Sequence, residues 1–383
     1  MGIYLHIPFC VRKCDYCDFL SAPADKKTME SYIKALMREI ELNRDRMARY
    51  TVDTVFIGGG TPSILDGKYI CDVIRVLKSN CRMAENAEIT IECNPGTVTE
   101  EKLRCYGDAG INRLSFGLQS ANDSELKSIG RIHTYEEFLV SYGLAKQCGF
   151  DNINVDLMSA LPRQSESSYK QTLEKIISLD PKHISAYSLI VEKGTKLYRR
   201  VENAKAKGEN ILPDEDAERK MYYMTKIMLE KAGYGRYEIS NYSKFGFECK
   251  HNIGYWKRKE YLGFGIGAAS LYKEKRYSNI SDINLYIEEM LKEETSLDCI
   301  EENVQQLSRQ EQMEEFMFLG LRMMSGVSVE EFEQQFGEKY SAVYGTISDK
   351  LIEKGLLVQD GDYIKLSERG IDISNYVMAE FMF

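Results

Sequence analysis

"FCVRKCDYCDF", residues 9–19, sets Cys10, Cys14 and Cys17 in a C-x3-C-x2-C spacing among charged and aromatic residues. Thiols in so polar a setting are poorly placed to act as buried apolar side chains. A structural zinc site asks for four ligands, commonly two cysteine pairs. The other seven cysteines, at 71, 81, 93, 105, 148, 249 and 299, are scattered singly and read mostly as small apolar side chains. A cubane iron-sulfur cluster suits the loop better, because closely spaced thiolates can each reach a separate iron. Three ligands leave one iron open, and an open iron can bind and activate a small molecule.

The rest of the chain limits where such a site sits. The 383 residues are 43% hydrophobic and 28% charged, enough for a large α/β domain with a smaller one attached. No apolar run approaches the ~20 residues a membrane span needs. The start, "MGIYLHIPFC", lacks a basic n-region and a long apolar stretch, so a reducing, cytoplasmic setting is expected. A net charge of −9 argues against nucleic acid as a partner.

Short apolar runs alternate with helical periodicity. "GIYLHI" (2–7), "TVFIGG" (54–59), "EITIEC" (88–93), "INRLSFG" (111–117), "NINVDLM" (152–158) and "HISAYSLI" (183–190) read as six buried strands. Met29, Ile33, Leu36, Met37 and Ile40 share one helix face. "TYEE" opens another helix with a Thr134/Glu137 capping box, and a third helix spans 167–179. Strand-helix alternation implies right-handed crossovers and a parallel sheet, open or curved into a full or partial barrel. Either arrangement puts function at strand C-terminal ends. Residues 201–210 read as a loop and 241–272 as a loop-dominated connector. From 308 the pattern is mainly helical, with a hairpin turning at Asp360 and Gly361 in a winged-helix-like tail, taken as a packing or partner module.

Polar groups gather where the strands end. "GGGTP" (58–62) follows the second strand, where glycines let backbone amides approach a ligand. Glu92 ends the third strand and Gln119 follows the fourth. Arg131 lies in "GRIH", and Asp156 lies within the fifth strand. Singly each reads as structural; five consecutive strand ends with polar groups on one sheet edge read as a site.

The set "YLHIPFC", "YC", "GGGTP", "ECNPGT", "FGLQS", "GRIH" and "NVDLM" resembles the radical S-adenosylmethionine (SAM) superfamily. Within it, the set is similar to the group of oxygen-independent coproporphyrinogen III dehydrogenases and HemW-type haem chaperones, over nearly the whole chain. The resemblance implies an α/β fold, a partial (β/α)6 barrel over 1–235, a connector over 236–300 and a helical, winged-helix-like domain over 301–383. It implies a [4Fe-4S] cluster on Cys10, Cys14 and Cys17, with SAM held by Gly59, Gly60, Thr61, Glu92, Gln119, Arg131 and Asp156 and with Tyr4 beside the cluster.

Three features favour the chaperone branch. The dehydrogenases carry a longer segment ahead of the cluster loop, where three residues precede Tyr4 here. They also add a cysteine where this chain has Phe19. Finally, "HNIGYW" (251–256) matches the H-N-x-x-Y-W pattern associated with haem in HemW-type proteins. By that resemblance His251, Asn252, Tyr255 and Trp256 bind haem: an imidazole can ligate iron, and aromatic rings can face a flat macrocycle. "KRK" (257–259) is the candidate partner of the haem propionates, and Cys249 is an alternative iron ligand. Ala269 stands where many members carry His, which leaves a second haem contact open. The expected function is a haem chaperone delivering haem to client haem proteins, including respiratory ones. The alternative is the dehydrogenase, oxidatively decarboxylating porphyrinogen propionates. A reductant of the flavodoxin or ferredoxin type is implied, a homodimer is left open, and no catalytic residue is assigned.

Overall fold

A computed structural model describes residues 1–382. Six strands run parallel in chain order: β1 Gly2–Ile7, β2 Thr51–Gly59, β3 Arg82–Cys93, β4 Arg113–Gln119, β5 Ile153–Ser159 and β6 His183–Ser188. Each coincides with an apolar run of the sequence. Burial explains the pattern: all seven residues of β4 are buried, as expected of a parallel strand covered on both faces. Helices Lys26–Leu42, Gly67–Asn80, Glu100–Ala109, Tyr135–Gln147 and Glu166–Ser178 make the crossovers. In the first of these Ile33, Leu36 and Ile40 are buried and Met29 and Met37 pack against the core. Each fully buried side chain of this size contributes roughly 1.5–3 kcal/mol. The Thr134/Glu137 capping box is present.

Two readings of the sequence need correction. The stretch 201–210, expected as a loop, is helical to Ala206 in the helix Lys196–Ala206. Leu197, Val201 and Ala204 are its buried face, an i, i+4, i+7 stripe narrow enough to be hidden by polar neighbours. The stretch 241–272 is not dominated by loops. β7 Gly235–Glu238 and β8 Asn241–Ser243 extend the sheet beyond β6. β9 Tyr261–Phe264 pairs in parallel with β1, and β10 Ala269–Tyr272, β11 Lys275–Asn279 and β12 Glu301–Gln306 continue from it in antiparallel fashion. The result is one open twelve-stranded sheet with β1–β6 at its middle. These added strands have only three to six residues, too few for alternation to be read.

The Gly-rich segment 263–270 is fixed to the helix Lys26–Leu42 by Glu39. That buried carboxylate accepts from the Gly265 amide (2.8 Å), Asn279 Nδ2 (2.7 Å) and the Tyr286 hydroxyl. Burial outweighs these donors and pushes the Glu39 pKa up to about 7 from an ordinary 4.5. Between those values the folded chain holds a proton the unfolded chain has released, so stability falls as pH rises through this window. Urea unfolding at pH 4.5 and 8 is expected to show a loss of which Glu39 contributes on the order of 3 kcal/mol, and to show a correspondingly smaller loss in Glu39→Gln, the remainder coming from the other buried carboxyl groups whose pKa is raised, Glu92 and Asp156. An unchanged slope in the variant removes Glu39 as its source.

The tail forms a second core, with Met317, Phe332, Tyr344 and Phe381 fully buried. A three-stranded sheet completes it: β13 Val327–Ser328, β14 Leu357–Asp360 and β15 Tyr363–Leu366. The β14–β15 hairpin turns at Gly361 and Asp362, one residue later than expected. Cys71 and Cys105, expected as separate apolar side chains, are paired as a disulfide between the helices that follow β2 and β3. Among the described residues no helix is long and apolar enough to cross a membrane.

Candidate functional site

A cavity of about 460 Å³ opens at the C-terminal ends of the central strands, within the size range of cofactor sites. Its walls include Cys10, Cys14, Cys17, Tyr4, Gly59, Gly60, Thr61, Glu92, Gln119, Arg131, Asp156 and Asn252. One cavity therefore gathers the three thiols and every strand-end group singled out in the sequence. Of the residues expected at haem, only Asn252 reaches it.

Local backbone chemistry sets this convergence. The loop after β1 is tied to the turn after β2 by the Gly60 amide on Ile7 O (2.8 Å) and the Thr61 amide on Phe9 O (2.7 Å). Cys10 Sγ lies 3.6 Å from Thr61 Oγ1. Gly60 has to be glycine, since a Cβ there would lie 2.6 Å from Phe9 O and 3.0 Å from Cys10 Sγ. Gly59, at φ +113°, faces the His6 ring just as closely. Gln119 ends β4 at φ +74°, left-handed backbone that non-glycine residues adopt at a cost. This turns its amide to accept from the Tyr187 hydroxyl at 3.1 Å. Among the described residues, no three His, Cys, Asp or Glu side chains converge as a single-ion site. The three thiols instead face shared space, as ligands to different irons of one cluster would.

Charge in the cavity is buried. Burial, with Asp156 adding to it, pushes the Glu92 pKa up to about 8, although the Gly59 amide donates to its carboxylate at 3.1 Å. Burial also raises Asp156, against the donation from Asn154 Nδ2 at 2.7 Å. Arg131 donates to Asn94 Oδ1 at 2.9 Å, and Asn94 donates to Thr61 Oγ1 at 2.8 Å. Asn94 thus couples two expected cofactor residues, and its only sequence signal was its place directly after Cys93 in "ECNPGT". Arg113, Ser115, Asn154, Ser185, Tyr187 and Asn241 also line the cavity and were not singled out. Their shared signal is strand parity: Arg113 and Ser115 alternate with Gly117 and Gln119 on one face of β4.

The haem motif forms the helix Lys250–Trp256. His251 is buried, its Nδ1 2.9 Å from Thr54 Oγ1 and its Nε2 2.9 Å from the Tyr255 hydroxyl, and it stacks on Phe56. Burial, aided by Arg113, pushes its pKa down to about 3, so it is neutral. Both ring nitrogens are engaged, and the imidazole faces away from the large cavity. Trp256 packs under the Arg322 guanidinium, 4.3 Å from the ring centre. The KRK run is not a free basic patch: Arg258 is buried in ion pairs with Glu315 and Glu274, and Lys259 lies 3.4 Å from Asp53. Cys249 is fully buried with its sulfur 3.6 Å from Glu88, and its thiol is pushed up to about 12 by burial. Ala269 begins β10 outside the cavity wall.

Comparison with known proteins is consistent with this arrangement. Residues 4–176 match the family model of the Radical SAM superfamily, and residues 307–373 match that of the HemN C-terminal domain. The chain is 37% identical over 99% of its length to "Heme chaperone HemW" of Lactococcus lactis, covering 96% of that protein. It is 36% identical over 99% of its length to "Heme chaperone HemW" of Bacillus subtilis, covering 98% of it. Among solved structures, coproporphyrinogen III oxidase (HemN) from Escherichia coli superposes with a TM-score of 0.84 at 21% identity, over 99% of this chain and 89% of that one. This last likeness concerns the fold.

Proposed function

Because the chain belongs to the HemW family of radical SAM proteins, we propose that it is a haem chaperone that carries a [4Fe-4S] cluster and SAM and delivers haem to client haem proteins. The observation that carries the cofactor reading is the single cavity shared by Cys10, Cys14, Cys17 and the strand-end groups. The residues fit these groups. Three free thiols from one loop match an open-corner cubane, the Gly59–Thr61 turn leaves room only for backbone, and Arg131 keeps its buried Nε without a protein partner. Cys10, Cys14 and Cys17 would hold the cluster. Tyr4, Gly59, Gly60, Thr61, Glu92, Gln119, Arg131 and Asp156 would hold SAM. When bound, the pair supplies one-electron reduction and radical chemistry. The chain's own part is to bind and orient: Arg131 and Asn94 fix the Thr61 hydroxyl, while Tyr187 fixes the Gln119 amide.

Haem is the proposed cargo, with His251 as its iron ligand once drawn away from Thr54 and Tyr255. The nearby Asn252 already faces the cavity, and Tyr255 and Trp256 offer ring faces. His251→Ala is expected to lose the defined Soret shift that wild type shows on haem addition. If the imidazole is only structural, the shift persists and the melting temperature alone falls. A cytoplasmic setting, a flavodoxin- or ferredoxin-type reductant and a homodimer belong to the same proposal. The deciding assay follows haem transfer to an apo-haem protein and coproporphyrinogen turnover together, without oxygen. Haem transfer without decarboxylation is expected; decarboxylation without transfer would assign the chain to dehydrogenase chemistry.

A further inference from the structure

Arg113 begins β4, is 2% exposed and lines the cavity. A guanidinium carries five N–H donors. Among the described residues none of these donors has a hydrogen bond or an ion pair, and the Nε is fully enclosed without a partner. The other buried arginine, Arg258, is served by Glu315 and Glu274, and the half-buried Arg131 donates to Asn94. The acids that act on Arg113 electrostatically are Glu88 and Asp156, and both are engaged elsewhere. Glu88 accepts from the Lys250 and His251 amides and the Cys249 thiol, and Asp156 from Asn154. A buried charge without a direct partner is costly.

We propose that Arg113 anchors a carboxylate subsite on the inner wall of the cavity, separate from the residues assigned to SAM. A carboxylate matches the planar fork of a guanidinium through two parallel hydrogen bonds. Glu92 and Asp156 on the same wall disfavour a dianion, which selects a carboxylate over a phosphate. Asn241 Oδ1, the other enclosed cavity-wall atom without a partner besides the Arg131 Nε, is an acceptor and serves a donor on the ligand or a water. The carboxylate is either a haem propionate, which rests on the chaperone reading, or that of a free small acid.

The test uses the full chain with its cluster loaded anaerobically. Wild type, Arg113→Gln and Arg113→Lys are titrated with haem and with haem dimethyl ester, whose propionates are blocked. Wild type is expected to prefer haem by about tenfold or more, as a charge-assisted pair provides. The preference vanishes in Arg113→Gln and is partly kept in Arg113→Lys. The melting temperature of ligand-free Arg113→Gln stays level or rises, because the group removed has no protein partner; a structural role would lower it. A preference for haem that survives in Arg113→Gln overturns the proposal, and equal binding of haem and ester by wild type removes the haem propionate and leaves the free acid to be decided with sodium propionate. If wild type binds neither tetrapyrrole, the haem reading falls and sodium propionate decides the subsite. A propionate-dependent rise in melting temperature in wild type alone supports it, and no rise overturns it.

Discussion

Cys14→Ala, reconstituted without oxygen, is expected to lose the cluster altogether, where wild type takes up about four iron and four sulfide per chain. The expectation follows from counting ligands. Three protein thiols already leave one corner open, and a second open corner leaves the cubane exposed to loss and solvent. Cys10→Ala and Cys17→Ala should behave alike, since all three thiols face one cavity. Cys81→Ala and Cys148→Ala, whose thiols lie outside it, should keep full iron content. Iron and sulfide analysis with the brown absorption band reads this directly. Full loading of any of the three variants would show that the loop does not hold the cluster.

The second large effect is expected at Gly60. An alanine Cβ would lie 2.6 Å from Phe9 O, 2.9 Å from Phe9 N and 3.0 Å from Cys10 Sγ. Two of these are backbone atoms, held by the Gly60 and Thr61 amides on Ile7 O and Phe9 O, so rotamer changes cannot relieve the clash. Overpacking of this kind costs about 1–3 kcal/mol, with more where backbone must shift. Gly60→Ala should therefore lower the melting temperature and reduce cluster loading together. Gly143→Ala is the control: it lies in the helix Tyr135–Gln147 with nothing within 4 Å of its Cβ. There the change should stabilise by about 0.5–1 kcal/mol. If Gly60→Ala behaves like Gly143→Ala, the close approach of the two loops is wrong.

How much was legible before the fold depends on which physical signal each residue carried. The six central strands were readable because strands buried on both faces need continuous apolar runs. Their polar ends were readable for the converse reason: Glu92 and Asp156 break those runs, and only a site repays burying them. The helix to Ala206 was missed because its apolar stripe is three residues wide, and β8–β12 because strands this short carry no periodicity.

The haem motif shows a different limit. In a helix, residues four apart share a face while adjacent residues diverge by ~100°. His251 and Tyr255 therefore meet each other, and Asn252 turns toward the cavity. A contiguous pattern specifies residue types, but which of them a cavity receives is decided by the helix and its anchoring on Glu88. Arg113 was hidden for a related reason. In "NRLSFG" it looks like a charge at a strand edge, and only the packed sheet shows it enclosed and without a partner.

The most direct test of the central claim is the electron paramagnetic resonance spectrum of the dithionite-reduced, anaerobically prepared protein, with and without SAM. A cluster with one corner free of protein, set in the cavity that holds SAM, predicts a [4Fe-4S] signal whose g-values shift when SAM is added and do not shift in Glu92→Ala or Arg131→Ala. A signal indifferent to SAM in wild type, or a colourless protein containing only zinc, would contradict it.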